Sequence, residues 1–470
     1  MANHLLATLK EFSTPAVLGR PKTLYLKLGI VAMGLGAMTQ VQALTQAQIN
    51  VTNALTSLPG LDTTQTNMAG VIGVACPPQT NEKAFQDRCN AVVGSALRGD
   101  TSDATNALQV VSPEQMPTQG IGATRTSISA IGGRLAALRA GVRGFQVAGL
   151  TNGQPLTNLA SLSPYTATGG SAGEAGSEIW NRLGAFVNGN YNTGNVDSAF
   201  NQLGFNFNSG TFTAGVDYRL TQDLILGTAF SYTRTESGFA NNGGSLDSNA
   251  YTGAVYGTFY ATDKLYFDGI ATFGGINYDS TRNVQYALPT PVVNPDVVNT
   301  KATANPNGNQ YSVSLGGGYN FALQEWTLNP YARVNYIKLD VDSFKEQGGD
   351  GWGMSVNDQY VESVTTTLGT QISYALSTPW GVFLPNLRGE WYHQYKDNSR
   401  NIPVRFLGDT TSGLSFNTVT DSPDRNYFTV GTGVSGTFAK GLTAFLNYDT
   451  LLGYRNIESH LFTVGARLEF

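Results

Sequence analysis

A period of two runs through the last two-thirds of the chain, from about Ile179 to the terminal Phe470, and no other feature restricts the fold as tightly. Alternation puts successive side chains on opposite faces of an extended strand. Such segments recur over 179–191, 205–220, 223–238, 246–262, 264–283, 307–323, 325–343, 359–376, 380–398, 424–438, 441–454 and 458–470. In one of them Tyr311, Val313, Leu315, Tyr319 and Phe321 oppose Ser312, Ser314, Gly316, Gly318 and Asn320. In another, Leu442, Ala444, Leu446 and Tyr448 oppose Thr443, Asn447 and Asp449, with Phe445 the exception. Strands of this kind suit a soluble sandwich as well as a membrane barrel, and the connections separate the two. Short turns at 220–223, 261–264, 322–325, 377–380 and 438–441 alternate with longer loops near 192–204, 239–245, 284–306, 344–358 and 399–423; only 453–457 is short out of turn. One rim of short turns and one of long loops marks a transmembrane barrel, and closure removes the unpaired edges of an open sheet. The predicted fold class is therefore an all-β transmembrane barrel of about twelve antiparallel strands over 179–470. An even strand number puts both of its ends on the periplasmic side of a bacterial outer membrane.

Composition agrees. Charged residues are only 13% of the chain, alongside 55 Gly, 22 Tyr and 23 Phe, and the mean hydropathy of −0.15 is too low for a helical membrane protein. A net charge of −5 without a basic patch excludes general nucleic-acid binding, which needs clustered cations. With the apolar faces turned to lipid, Asp217, Asp268, Glu390, Asp449 and Glu469 point into the lumen, together with Arg219, Arg333, Arg388 and Arg467. On the last strand Phe462, Val464, Ala466, Leu468 and Phe470 form the lipid-facing row, opposite Thr463, Arg467 and Glu469.

Upstream of the barrel the patterns change. Lys10, Arg20, Lys22 and Lys27 precede an apolar run from Leu28 to Met38, and Val41-Gln42-Ala43 offers small residues for cleavage after Ala43. The run is too short to span a bilayer, since about 11 helical residues rise only about 16 Å. Residues 1–43 therefore read as a secretory signal peptide. Residues 44–120 read as a short exported segment, polar and mainly helical, too small to bury a large core unaided. Its Cys76 and Cys89 are the only cysteines and read as one disulfide in an oxidising compartment. Ser112-Pro113-Glu114-Gln115 looks like a helix start. Residues 121–178 combine an amphipathic helix with a flexible linker. Ile128, Ile131, Leu135, Leu138, Val142 and Phe145 recur at helical spacing from about Thr126 to Phe145, and Gly149 to Ser177 has no period. A helix carrying Arg134, Arg139 and Arg143 suits the lumen, with its cations on the lumen carboxylates. Its apolar stripe, however, asks for an apolar partner that a polar lumen supplies poorly.

Chemistry-bearing constellations are sparse. Of three histidines, His4 lies in the leader, while His393 and His460 fall in strands. Gly169-Gly170-Ser171-Ala172-Gly173 has the letters of a nucleophile elbow without the strand and helix that one needs. Glu346, Asp350 and Asp358 read as solvated loop charges, not a cation cage. No enzyme, metal or cofactor is expected, and the sequence names no ligand for the exported segment.

From Trp180 to Phe470 the chain resembles the translocator domain of monomeric autotransporters. The residues that carry the likeness are Ala214-Gly215-Val216-Asp217-Tyr218-Arg219-Leu220, Ser245-Leu246-Asp247-Ser248, Asp424-Arg425 and Gly465-Ala466-Arg467-Leu468-Glu469-Phe470. The order of signal, exported segment, helix, linker and barrel matches the same family. The resemblance implies export of a passenger to the cell surface through the barrel, with the helix and linker threading the pore. It also implies outer-membrane lipid, the barrel-assembly machinery and the secretion translocase as partners, the first of these machines reading the C-terminal row. Unlike typical passengers, residues 44–116 carry no β-helix repeat. A porin-like channel with a periplasmic N-terminal region is the alternative, and a hydrolase using His393 a third reading.

Overall fold

The computed structural model describes residues 43–112, 117–139, 182–288, 296–438 and 442–469. The leader, Pro113–Gln115 of the expected helix start, the 149–177 linker and the Gly-x-Ser-x-Gly stretch lie outside them.

Twelve strands form the barrel: β1 (Leu183–Val196), β2 (Phe205–Arg219), β3 (Leu224–Phe239), β4 (Gly244–Tyr260), β5 (Leu265–Leu288), β6 (Asn307–Tyr319), β7 (Trp326–Val341), β8 (Gln359–Tyr374), β9 (Gly381–Gln394), β10 (Asn426–Phe438), β11 (Leu442–Leu452) and β12 (Ile457–Glu469). Each pairs antiparallel with its sequence neighbour, and β1 closes on β12 from Gly184↔Glu469 to Val196↔Ile457. Closure pairs every wall strand on both sides, so no backbone edge meets lipid. The turn Gly453 to Asn456 that is short out of sequence joins β11 to β12 on the long-loop rim. Two short turns share one device: Thr221 Oγ1 accepts from the Asp223 and Leu224 amides, and Thr262 Oγ1 from those of Lys264 and Leu265.

The alternation resolves into an apolar outside and a hydroxyl-rich inside. Phe212, Val216, Leu226, Phe230, Val255, Leu315 and Val464 are exposed on the outer wall. Inside, Thr211 meets Thr233 at 2.9 Å, Thr213 meets Ser231 at 2.9 Å and Thr272 meets Ser312 at 2.6 Å across neighbouring strands. These pairs let polar side chains sit out of bulk water without orphaned donors. No described helix is long and apolar enough to cross a membrane.

Above the long-loop rim the loops are folded. The outer end of β5 pairs with Asp296–Ala304 as a projecting hairpin. Residues 344–345, 354–356, 401–406 and 416–419 form a separate four-stranded sheet. Helices α1 (Gln46–Thr56), α2 (Thr63–Ala75), α3 (Lys83–Arg98) and α4 (Thr101–Val111) sit on these loops. Capping boxes start α1 at Thr45 with Gln48 and α2 at Asp62 with Gln65, and Gly99 at φ +92° ends α3. Cys76, at the end of α2, is bonded to Cys89 of α3.

Of the loop acids expected to be solvated, Asp350 and Asp358 are exposed and Glu346 is largely withdrawn from water. The Glu346 side chain is 9% exposed and accepts from Arg282 at 3.0 and 2.6 Å, while at the surface Asp350 pairs with Arg88 of α3 and Asp358 accepts the Ser343 amide. The cause at Glu346 is the core beside it: Trp352, Met354 and Val356 turn inward from the same loop and dry it.

Candidate functional site: the occupied lumen

A fifth helix, α5 (Pro117–Arg139), lies inside the barrel. It begins nine residues before the Thr126 start expected from its periodicity. Arg139 ends it with its side chain outside the described residues, and Arg143 lies outside them altogether. Its 23 residues span about 35 Å, the depth of a bilayer core. Ala123 packs among Leu246, Ile276, Tyr278, Leu339 and Val341, at the long-loop ends of β4, β5 and β7. One turn from its other end, Arg134 reaches Asp217 of β2 and stands beside Gly184 at the start of β1, at the short-turn rim.

The apolar stripe of α5 has a partner after all. Ile128, Ile131 and Leu135 pack on Phe186, Ile225, Ile270, Ile337 and the rings of Tyr256, Tyr260 and Tyr266, all turned inward. The lumen wall is thus apolar on one side, which the expectation of a uniformly polar lumen missed. The available signal was consecutive apolar residues in a period-two strand, as in Phe186-Val187 and Ile225-Leu226. One of each pair must face inward. Glycines opposite these rings make room for them. Tyr256 pairs across the sheet with Gly227, and a Cβ there would lie 2.3 Å from the ring.

One buried ion pair fixes the helix within this contact. Arg134 Nη2 is 2.5 Å and Nε 2.6 Å from Asp217 Oδ2, with the side chains 1% and 5% exposed. Tyr256 donates to the same oxygen at 3.1 Å, and the Phe186 ring lies under the guanidinium at 5.2 Å. Further hydrogen bonds add to it: Thr124 donates to Gln310 at 2.5 Å, Asn188 donates to the Ala130 carbonyl at 3.2 Å, and the Arg125 guanidinium donates to Ser363 at 3.3 Å.

Glu390 and Asp449 have partners on the wall. Arg388 is 2.5 Å from Asp449 and 3.9 Å from Glu390, and Glu390 accepts from Tyr331 at 2.6 Å and Tyr392 at 2.7 Å. Asp268 is buried on the inner wall, and the Arg333 guanidinium approaches the helix at Gly132. The side chains of Arg467, Leu468 and Glu469, and Phe470, lie outside the described residues. Phe462 and Val464 point outward and Ala466 is half-buried. Beside α5 a cavity of about 1110 Å³ remains, lined by β8–β12 together with parts of β1, β2 and β5–β7 and faced on the helix by Arg125, Ser129, Gly132 and Gly133. Both strand histidines are bonded to side chains of the adjacent strand. His393 Nδ1 is 2.9 Å from the Asn426 side chain, and His460 Nδ1 is 2.9 Å from Tyr448 Oη. Among the described residues no group of His, Cys, Asp and Glu is arranged to hold a metal ion.

A closed barrel with an apolar belt, whose lumen holds a helix from the segment just before it, is an outer-membrane barrel occupied by its own chain. The chain belongs to the autotransporter β-domain family, whose profile matches residues 185–449. Its place is the bacterial outer membrane. It is 26% identical over 283 residues to "Lipase 1" of Photorhabdus luminescens, covering 59% of this chain and 41% of that protein. "Outer membrane protein A" of Rickettsia conorii is 26% identical over 247 residues, 51% of this chain and 12% of that protein. The chain therefore spans less than half the length of these curated relatives. Among solved structures, the translocator domain of autotransporter NalP from Neisseria meningitidis aligns with a TM-score of 0.47 at 15% identity, covering 67% of this chain and 94% of that one.

Proposed function

We propose that the barrel carries its N-terminal segment across the outer membrane and displays it at the cell surface. In this reading 1–43 is a signal peptide read by the secretion translocase and 44–120 is the passenger. Residues 121–178 supply the pore helix and linker, and 179–470 the barrel. The observation that carries it is the direction of α5. Its early residues lie among the long-loop ends of the strands, and Arg134 is held by Asp217 near the short-turn rim. A chain running that way has already passed from the inner rim to the outer one. Arg139 and Arg143 would follow toward the periplasmic opening. The row Phe462, Val464, Ala466, Leu468 and Phe470 would be what the barrel-assembly machinery reads, and the outward apolar belt suits outer-membrane lipid.

The passenger works in this reading without a catalytic centre. A lipase name belongs to a relative of which this chain spans only 41%. The hydrolase alternative would need His393, which bonds Asn426 and stacks edge-on with Tyr395 at 4.7 Å. A porin-like role is disfavoured by the helix in the lumen. An epitope tag inserted after Ala43 tests display: antibody should bind intact cells. Binding only after permeabilisation would leave the segment periplasmic and refute the reading.

A further inference from the structure

The four N-terminal helices do not close a core among themselves. Phe85, the largest buried side chain of α3, meets Trp352 edge-on at 5.8 Å and Phe406 at 5.2 Å, both from loops of the barrel. Trp352 packs on Phe406 at 5.5 Å, Phe406 on Phe416 at 5.3 Å, and the Trp352 indole donates to Tyr286 of the β5 arm at 2.7 Å. Met68, Ile72, Leu108 and Val111 of the helices and Val284, Leu288, Ile402 and Val404 of the loops belong to the same buried cluster. Separating the halves would expose an apolar face on each, far larger than single scattered side chains.

The backbones fit as closely as the side chains. A Cβ at Gly408 would lie 2.4 Å from Phe85 Cβ, and one at Gly351 would lie 2.6 Å from the backbone of Ala84. Gly351 also has φ +92°, which other residues rarely adopt. Polar groups cross the seam at each end. The Glu82 amide donates to the Gly408 carbonyl at 3.1 Å, Asn81 Oδ1 accepts the Thr410 and Thr411 amides, and Thr64 accepts the Val419 amide at 2.9 Å. Arg282 of β5, paired with Glu346, donates to the last helical carbonyl, Val111, at 3.0 Å.

From this we infer that the long loops are the folding platform of residues 44–112. The helices complete their core on Trp352, Phe406 and Phe416 and stay seated there as a fixed cap, in place of leaving as a free domain. At about 70 residues the segment is near the lower limit for folding alone, and its core is shared with the loops. The inference rests on the display reading for the side of the membrane on which the two meet. Its test does not, because it uses purified full-length protein in detergent.

Limited trypsin digestion would compare the wild type with Phe406→Ala and Gly408→Leu. The second variant adds bulk against Phe85 and alters no barrel strand. Cleavage at Lys83 and Arg98 is expected to accelerate about a hundredfold in both variants. The barrel should keep its heat-modifiable mobility in gels, which separates loss of the cap from loss of the fold. A specific protease sequence inserted after Ser112 gives the second readout: once cut, the wild-type cap stays bound to the barrel and the Gly408→Leu cap is released. Unchanged trypsin rates in both variants, or release of the cut wild-type cap, would overturn the platform. Loss of surface tagging in cells with these results intact would refute display alone.

Discussion

The Arg134–Asp217 pair gives the most quantitative test of how the helix is held. Replacing Arg134 with Met keeps most of the aliphatic stem and removes the cation. Among the described residues, Asp217 would then keep only the Tyr256 hydroxyl at 3.1 Å as a donor. Both side chains are almost fully buried, and neither lines the cavity on the opposite side of the helix, so water cannot readily replace the lost partner. Breaking a buried pair from one side costs about 3–5 kcal/mol, much of it the stranded charge. Applied to docking, that multiplies the undocked population about 150-fold or more. The assay uses Ala130→Cys, a position 2% exposed on α5, and the rate of maleimide labelling in detergent, which follows the open fraction when opening is fast. Because the native cysteines are bonded to each other, the engineered thiol reports alone. Arg134→Met should raise the rate by about two orders of magnitude, and Arg134→Lys by less, since one ammonium keeps the charge but not the two-point contact. Adding Asp217→Asn to Arg134→Met should recover much of the loss by neutralising the stranded carboxylate. Labelling that is unchanged in Arg134→Met, or additive in the double variant, would show that the pair does not hold the helix.

Two further outcomes follow from the same geometry. Deleting Gly122–Gly149 should raise single-channel conductance in planar bilayers several-fold, because α5 fills the lumen beside a cavity of about 1110 Å³; an unchanged conductance would argue against a plug. Gly227→Val should destabilise the barrel by about 1–3 kcal/mol, read as a lower urea midpoint, since its side chain must push the Tyr256 ring off the strand and weaken its bond to Asp217. A midpoint equal to wild type would mean the ring relaxes freely.

What the sequence made legible was the wall, because a strand in a membrane barrel is solved locally. Tyr311, Val313 and Leu315 face lipid whatever the rest of the chain does, and the loop lengths give the rims. Arg134 and Asp217 were each assigned to the lumen from periodicity alone. Their pairing to each other was not, since Asp268, Glu390 and Asp449 offered the same charge. Helical phase and strand register had to be known together to choose. The apolar wall patch was hidden by reading one face of each strand as uniformly polar. The loop core was hidden differently. Trp352 sits among glycines, and the alternation of Ile402, Val404 and Phe406 lay in a stretch assigned to a loop. Both patterns become a core only when the helices of residues 44–112 are laid against them, a contact between segments about 300 residues apart that no local window contains.

The two walls of the lumen differ in a way that bears on how the barrel could empty. On β8–β12 the charges are paired among themselves: Arg388 serves Asp449 and Glu390, and two tyrosines complete Glu390. That wall satisfies its own charges and meets the helix through the polar Arg125–Ser363 contact, so water beside it costs little. On the opposite side Asp217 has its cation on α5, and Phe186, Ile225 and Ile270 have their cover there. Withdrawal of the helix is therefore opposed mainly from this second wall. A lumen polar on every side would bind the helix weakly, and one apolar on every side would collapse or refuse a hydrated chain. Dividing the chemistry between two walls lets one barrel hold a helix firmly and still present a wet surface along which polypeptide can move.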